Sequence, residues 1–161
     1  MKPITLVMAV CTLVVSATVV SAQDATLDVA APPNSPPLPQ FDHQVVALVD
    51  ISDQTMHVFV DKQLRYIWWV STGLGGHRTP TGSWNAYWLS PNHRSSLYGN
   101  APMPWSVFFN GNYAVHGTTA VDNLGQPASH GCIRLHSDHA AIFFGLTETA
   151  GLNQALVMVV E

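Results

Sequence analysis

Cys132 lies beside residues that can activate a thiol. It directly follows Ser129, His130 and Gly131, and a second histidine, His116, lies upstream. A thiol paired with an imidazole base is a common arrangement for nucleophilic catalysis, because the thiolate is the reactive form. In such a pair the pKa of the thiol can fall from about 8.5 to roughly 3.5–7.5. These residues therefore predict a cysteine nucleophile that attacks carbonyl carbon.

Both histidines are candidates for the general base. His116 ends a predicted strand and is the preferred base, while His130 shares the face of Cys132 if that segment is extended. Gly117 has no side chain, so a backbone carbonyl near it is the group expected to orient the base. Gly131 lets the backbone bend tightly beside the sulfur. Its backbone N–H and that of the next residue are predicted to stabilise an oxyanion.

The pattern of apolar residues around this site predicts a mostly β chain. Short apolar or alternating runs, separated by turn residues, indicate strands. A helix is predicted to begin with Ser137 or Asp138 as its N-cap and to end near Leu146. Residues 90–104 form a long predicted loop of the kind that often acts as a lid. The predicted strands are 45–49, 56–60, 64–70, 84–89, 107–109, 113–115 and 156–160.

Several segments follow one another in a distinctive order. They are Ser71-Thr72-Gly73, Thr79-Pro80-Thr81-Gly82-Ser83-Trp84, Ala101-Pro102-Met103-Pro104-Trp105, His116-Gly117-Thr118 and Ser129-His130-Gly131-Cys132-Ile133-Arg134. Together they resemble the signature of the YkuD-type L,D-transpeptidase catalytic domain. The resemblance covers residues 43–161. It implies a mostly β fold, a mixed β-sandwich or barrel with one or two short helices.

The resemblance also implies a reaction on peptidoglycan stem peptides. The Cys132 thiolate would attack the carbonyl of the third residue of a tetrapeptide stem, D-alanine would leave, and a thioester would remain. An amine of another stem, or of an envelope protein, would then resolve the thioester, and carbapenems would acylate the same thiol. Water as acceptor would make the protein an L,D-carboxypeptidase or hydrolase. A non-catalytic wall-binding module is a third interpretation, which the Cys132 and His116 pair disfavours.

Further site residues follow from the same resemblance. Arg134 is the expected active-site arginine, suited to a two-pronged contact with a substrate carboxylate; a partly exposed strand arginine is the alternative. His130 has an expected supporting role, and Ser129 is expected to bind substrate or to hydrogen bond within its loop. Tyr98, Met103 and Trp105 either line an apolar substrate cleft or belong to the core.

Zinc is the one cofactor that the residue types suggest. His116, His130, Cys132 and His136 are all zinc-type ligands. Structural zinc sites usually contain closely spaced ligand pairs such as C-x₂-C, and this part of the chain has a single cysteine. We therefore expect neither a metal nor another cofactor.

The N-terminus predicts export. Lys2 precedes an uncharged run over residues 4–20, and Val20-Ser21-Ala22 offers a cleavage site, so residues 1–22 are a predicted signal peptide. An uncleaved membrane anchor is the alternative, and it would be the only membrane contact. Residues 23–42 form a predicted proline-rich linker, and 43–161 a single catalytic domain. The expected location is the cell envelope, in the periplasm.

Charge and cysteine content narrow the function further. The chain has six basic and ten acidic residues, and Lys2 would leave with the signal. Such sparse, mildly acidic charge excludes nucleic acid as the expected partner. Cys11 would leave too, so that Cys132 remains without a partner for an intramolecular disulfide. A thiol kept unpaired in an oxidising compartment favours a chemical role.

Overall fold

The computed structural model describes residues 41–161. The predicted signal peptide at 1–22 and the predicted linker at 23–42, apart from its last two residues, lie outside the described residues. Within residues 41–161, no helix has the length and apolar character needed to cross a bilayer.

Two β-sheets and one α-helix make up residues 41–161. The first sheet has the strand order β3-β2-β1-β9-β4, and the second has the order β5-β6-β7-β8. The helix α1 spans Ser137–Ala150, and short 3-10 turns lie at Val121–Asn123 and Leu152–Gln154. The strands are β1 Val45–Asp50, β2 Thr55–Val60, β3 Gln63–Trp69, β4 Gly82–Asn85, β5 Trp88–Arg94, β6 Pro102–Asn110, β7 Tyr113–Thr118, β8 Ile133–His136 and β9 Ala155–Val160.

The core lies between the inner faces of the two sheets and is completed by α1. Alternation along each strand directs one set of apolar side chains inward. The buried cluster combines residues of β1, β2 and β9 with residues of β6, β7 and β8 and with Phe143 and Phe144 of the helix. Both sheets are mixed, since β1 pairs in parallel with β9 and β7 in parallel with β8. The predicted mostly β, mixed sandwich is thereby confirmed.

The strand predicted at 84–89 is wrong as a single element. The chain changes sheets there: the N–H of Ala86 donates to Ala155 O in the first sheet, and the N–H of Tyr87 donates to Phe108 O in the second. The apolar pattern continues through this crossing, because residues on both sides of it contact the same core. Periodicity alone therefore merged β4 with β5.

The predicted loop at 90–104 is also shorter than expected. Strand β5 continues to Arg94 and β6 begins at Pro102, so only residues 95–101 form the loop. Pro91 is tolerated because β5 is an edge strand of its sheet, where a missing N–H breaks no ladder. The loop is closed at its base by a hydrogen bond of 2.9 Å from the Ser95 N–H to Ala101 O.

The helix differs from its prediction at both ends. Its N-cap is His136, whose Nδ1 accepts from the N–H of Asp138, in place of Ser137 or Asp138. At the other end α1 continues to Ala150 and stops at Gly151, whose φ of +91° suits glycine. The strand predicted at 107–109 is only the last part of β6, whereas the other strand predictions and the turn at 110–112 agree with the structure to within three residues.

Candidate active site

The parallel pairing of β7 with β8 brings the predicted nucleophile and base together. Val115 pairs with Ile133 and faces the core, so the next pair, His116 with Arg134, faces the opposite side. Cys132 immediately precedes β8 and shares this outer face. Cys132, His116 and Arg134 line one cavity of about 200 Å³.

His116 is buried and is held by its neighbour's backbone. Only 5% of its surface is exposed, and Nδ1 lies 2.8 Å from Gly117 O. A carbonyl oxygen only accepts, so Nδ1 carries the proton and Nε2 keeps a free lone pair. Burial lowers the pKa of His116 to about 4, opposed by the Gly117 hydrogen bond and assisted by the positive charge of Arg134. The imidazole is therefore neutral at neutral pH and able to take a proton.

The thiol of Cys132 is also neutral in this resting state. Burial raises its pKa, which outweighs the backbone hydrogen bond from Ala114 and the positive charge of Arg134, both of which lower it. Its Sγ donates to Asn112 O at 3.6 Å. The fall in thiol pKa that the residue pattern predicted is therefore not found. A neutral thiol with a neutral base suits proton transfer during attack rather than a preformed ion pair.

Hydrogen bonds fix the loop that carries the thiol. Ser129 is buried, and its Oγ accepts from the Gly131 N–H at 3.0 Å and donates to Cys132 O at 2.6 Å. Thr79 Oγ1 donates to Gly131 O and accepts from the Gly73 N–H, both at 2.9 Å. Gly131 has a φ of +108°, and a Cβ there would lie 2.6 Å from the Tyr113 ring, so the position requires glycine.

These bonds correct the assignment of the oxyanion donor. The N–H of Gly131 is taken by Ser129, so it does not face the cleft as predicted. Within residues 41–161, the N–H of Cys132 forms no hydrogen bond. A trans peptide holds its C=O and N–H on opposite sides. By holding Gly131 O, Thr79 therefore also fixes the direction of the Cys132 N–H. The sequence did not predict this role, although Thr79 belongs to one of the segments that resemble the family signature.

A second cavity of about 400 Å³ adjoins the first at the thiol. Tyr98, Met103 and Cys132 line both cavities, together with Ser95 and His130. The Tyr98 ring stacks on His130 with centroids 4.5 Å apart. The structure thus brings Tyr98 and Met103 to the cleft, and it places His130 at the boundary between the two cavities.

Trp105 is the predicted substrate residue that the structure does not bring to the thiol. It lines neither cavity, and its indole packs edge-on against Phe144 of the helix, with centroids 5.5 Å apart. Met103 and Trp105, two residues apart on β6, were each predicted to line the cleft or to belong to the core, and of the two only Met103 lies in the cleft. Within residues 41–161, no cluster of three or more His, Cys, Asp or Glu side chains is arranged to hold a metal.

Comparison with known proteins identifies the same kind of domain. The family model of the L,D-transpeptidase catalytic domain, YkuD, matches residues 44–154, more than half of the chain. No curated protein sequence matches. The crystal structure of an L,D-transpeptidase (Yku) from Stackebrandtia nassauensis is 24% identical with a TM-score of 0.67, covering 78% of this chain and 59% of that one.

Two further solved structures have the same fold. The L,D-transpeptidase from Xylanimonas cellulosilytica is 25% identical with a TM-score of 0.63, covering 78% of this chain and 65% of its own. The structure of LdtMt1 in complex with imipenem is 23% identical with a TM-score of 0.65, covering 73% of this chain and 59% of that chain. This chain thus spans about three fifths of the length of these proteins.

Burial of neutral His116 predicts a specific loss of stability in acid. With a folded pKa of about 4 and an unfolded value of about 6.5, the unfolded state binds more protons between these pH values. The contribution is complete above pH 6.5 and is lost as the pH falls to 4. We expect the free energy of unfolding to fall by about 3 kcal/mol over this window, an order-of-magnitude value.

Denaturant unfolding of the wild type and of His116→Gln at pH 7 and pH 4 measures this loss. The variant should lose the part of this dependence that belongs to His116, whereas His57→Gln, a substitution on β2, should keep it. An unchanged pH dependence in His116→Gln would contradict the assignment of a buried neutral base.

Proposed function

Because the chain belongs to the YkuD family of L,D-transpeptidase catalytic domains, we propose that it is a peptidoglycan L,D-transpeptidase working through a thioester on Cys132. The family resemblance drawn from the sequence is confirmed by the same match. The observation that carries the proposal is the arrangement of His116, with Nδ1 on Gly117 O, on the same sheet face as Cys132 and in the same cavity. A wall-binding module has no need of an aligned base.

Acylation starts from the neutral pair. Nε2 of His116 takes the thiol proton while Sγ bonds to the carbonyl carbon of the third stem residue. The carbonyl oxygen becomes an oxyanion near the N–H of Cys132, which is free to donate. Protonated His116 then gives its proton to the nitrogen of the terminal D-alanine. The C–N bond breaks, D-alanine leaves, and a thioester remains on Cys132.

Deacylation reverses these roles with a new nucleophile. An amine of a second stem, or of an envelope protein, enters where D-alanine left and attacks the thioester. His116 takes a proton from this amine and returns it to the sulfur as the C–S bond breaks. The products are a new amide and a free thiol. Water in place of the amine gives the L,D-carboxypeptidase or hydrolase reaction through the same steps.

Arg134 supports the orientation of the donor stem. It lines the smaller cavity together with His116 and does not line the larger one. One guanidinium N–H donates to Ala128 O at 3.2 Å, which anchors the side chain. A carboxylate in this cavity would meet a fixed positive charge. We therefore place the terminal D-alanine, with its carboxylate, in the smaller cavity, and the acceptor amine there in the second step.

The proposed setting is the cell envelope, where peptidoglycan lies. Its support is the signal-like pattern of residues 1–22, with the periplasm as the expected compartment and an uncleaved segment as the only expected membrane contact. We also propose that carbapenems acylate Cys132. The support is the imipenem complex of the similar LdtMt1 structure, together with the electrophilic carbonyl that a strained lactam presents to a thiol.

A product assay tests the proposed reaction. The enzyme is incubated with a tetrapeptide stem, with and without an acceptor amine, and the products are weighed by mass spectrometry. We expect free D-alanine and, with the acceptor present, a new amide. Cys132→Ala should form neither, and His116→Ala should be slower by ~10²–10⁴, the usual contribution of general acid–base catalysis.

His130→Ala is the matched control for this assay and should lose less activity than His116→Ala. D-alanine release without any amide product would assign the carboxypeptidase reaction instead. Turnover retained in Cys132→Ala would refute the thioester mechanism.

Thr79 offers a test of the oxyanion geometry. Thr79→Val keeps the shape of the side chain but removes the hydroxyl that holds Gly131 O. The Cys132 N–H should then be misdirected, so kcat should fall about 10- to 100-fold with KM nearly unchanged, since an oxyanion forms only in the reaction. Thr79→Ser restores the hydroxyl and should recover most of kcat. A rise in KM at constant kcat would show that Thr79 acts in substrate binding.

A further inference from the structure

The larger cavity is rich in aromatic side chains. None of its lining side chains is a lysine, arginine, aspartate or glutamate. Its aromatic members include Tyr87, just before β5, and Trp88, the first residue of β5, which are 50% and 45% exposed, and Tyr98 of the 95–101 loop. Asn112 and two serines add neutral hydrogen-bonding groups. The smaller cavity, in contrast, contains Arg134, so the two cavities suit ligand parts of different chemistry.

The strand pairing in the second sheet gives the distance from the thiol to the far end of this cavity. Trp88 pairs with Phe108, and Phe108 pairs with Ala114 on the next strand. Ile133 pairs with Val115 in parallel, so Cys132 lies beside Ala114, one residue earlier on both strands. Trp88, Phe108, Ala114 and Cys132 therefore form one row across the sheet. Three steps between neighbouring strands, at 4.7–4.9 Å each, separate Cys132 from Trp88 by about 14 Å. The floor of the larger cavity therefore leads from the thiol to an exposed indole.

This length matches the donor stem of the proposed reaction. The attacked carbonyl belongs to the third residue, and D-alanine lies on the Arg134 side, so the first two residues extend the other way. Three extended residues span at most about 10–11 Å. The group attached before the first residue then lies at the far end of the row. In peptidoglycan that group is a sugar, a neutral polyhydroxylated ring.

Trp88 is built as a rigid stacking surface. Its indole stacks on Phe108 with centroids 4.6 Å apart and planes 22° apart, and His93 meets it edge-on at 5.3 Å. The neighbouring Tyr87 is also fixed, since its hydroxyl donates to Gly111 O. An aromatic face binds the C–H face of a sugar ring, and nearby amide and hydroxyl groups bind its hydroxyls. An ionic ligand would find no lysine, arginine, aspartate or glutamate side chain here.

We propose that the Trp88 end of the larger cavity is a sugar-binding subsite, which recognises the glycan unit attached to the donor stem. This inference rests on the proposed function for the identity of the stem. It makes the enzyme selective for stems that are still joined to glycan over free stem peptides. Trp88 acts in this subsite by binding and takes no part in the reaction at the thiol.

The test compares two donors that differ only in the sugar. One is the free tetrapeptide, and the other is the same tetrapeptide joined to its disaccharide. For the wild type we expect kcat/KM to be about tenfold higher with the sugar present, the size of one or two aromatic contacts. Trp88→Ala should remove this preference while leaving the free tetrapeptide within about twofold of wild type. Trp88→Phe should keep most of it.

Trp69→Ala is the matched control, because Trp69 is 61% exposed on β3 and lines neither of the two cavities at the thiol. It should leave the preference unchanged. Equal kcat/KM values for both donors in the wild type would overturn the proposal. It would also be overturned if Trp88→Ala and Trp88→Phe each lost the same activity on both donors.

A direct binding measurement separates this inference from the proposed function. A neutral oligosaccharide of N-acetylglucosamine is titrated into the wild type, Trp88→Ala and Trp69→Ala by calorimetry. Binding that is lost only in Trp88→Ala supports the sugar subsite even if neither donor is turned over, a result that would reject the transpeptidase reaction alone. No binding to the wild type, with both donors turned over equally, rejects the subsite alone.

Discussion

The parallel pairing of β7 with β8 is the constraint on which the site depends. Parallel neighbours cannot be joined by a tight turn and need a crossover of a dozen or more residues. Residues 119–132 supply this crossover, and it explains why the base and the nucleophile are separated in sequence yet share a sheet face. On the other side of β8, the backbone N–H of Ser71 donates to Arg134 O and the N–H of Arg134 donates to Ser71 O, so β8 is held along both edges.

Burial then determines the protonation states of the two reactive groups. It lowers the pKa of His116 to about 4 and raises the pKa of Cys132, so both groups are uncharged at neutral pH. The positive charge of Arg134 lowers both pKa values. In the proposed reaction, charge would therefore develop only during the attack on the carbonyl, on the imidazole and the oxyanion. Burial alone opposes this charge, so its stabilisation falls to oriented donors such as the N–H of Cys132.

Much of the fold and the site followed from the sequence, because short motifs and strand alternation are local signals. Cys132, His116 and Arg134 were predicted as a group, and the structure brings them into one cavity. What the sequence could not show depends on tertiary contacts. The change of sheets at Ala86 and Tyr87 leaves the apolar pattern intact, and the engagement of the Gly131 N–H depends on where Ser129 Oγ points.

The same limit applies to single side chains. Trp105 and Met103 lie two residues apart on β6, but Trp105 contacts α1 and only Met103 reaches the cleft. Thr79 belongs to a motif that was noted for family resemblance, yet its bond to Gly131 O joins residues far apart in sequence. The row from Cys132 to Trp88 likewise needs the register of four strands, which no sequence pattern specifies.

The proposed function depends on the formation of a thioester on Cys132, with cleavage of the acyl bond of the donor. Intact-protein mass spectrometry after exposure to imipenem tests it most directly, with Cys132→Ala measured in parallel. We expect the wild type to gain the mass of one imipenem molecule and Cys132→Ala to gain none. A wild type that stays unmodified while it turns over stem peptides would contradict the proposed acylation by carbapenems. An adduct that persists in Cys132→Ala would contradict the assignment of Cys132 as the nucleophile, because the acylated residue would then lie elsewhere.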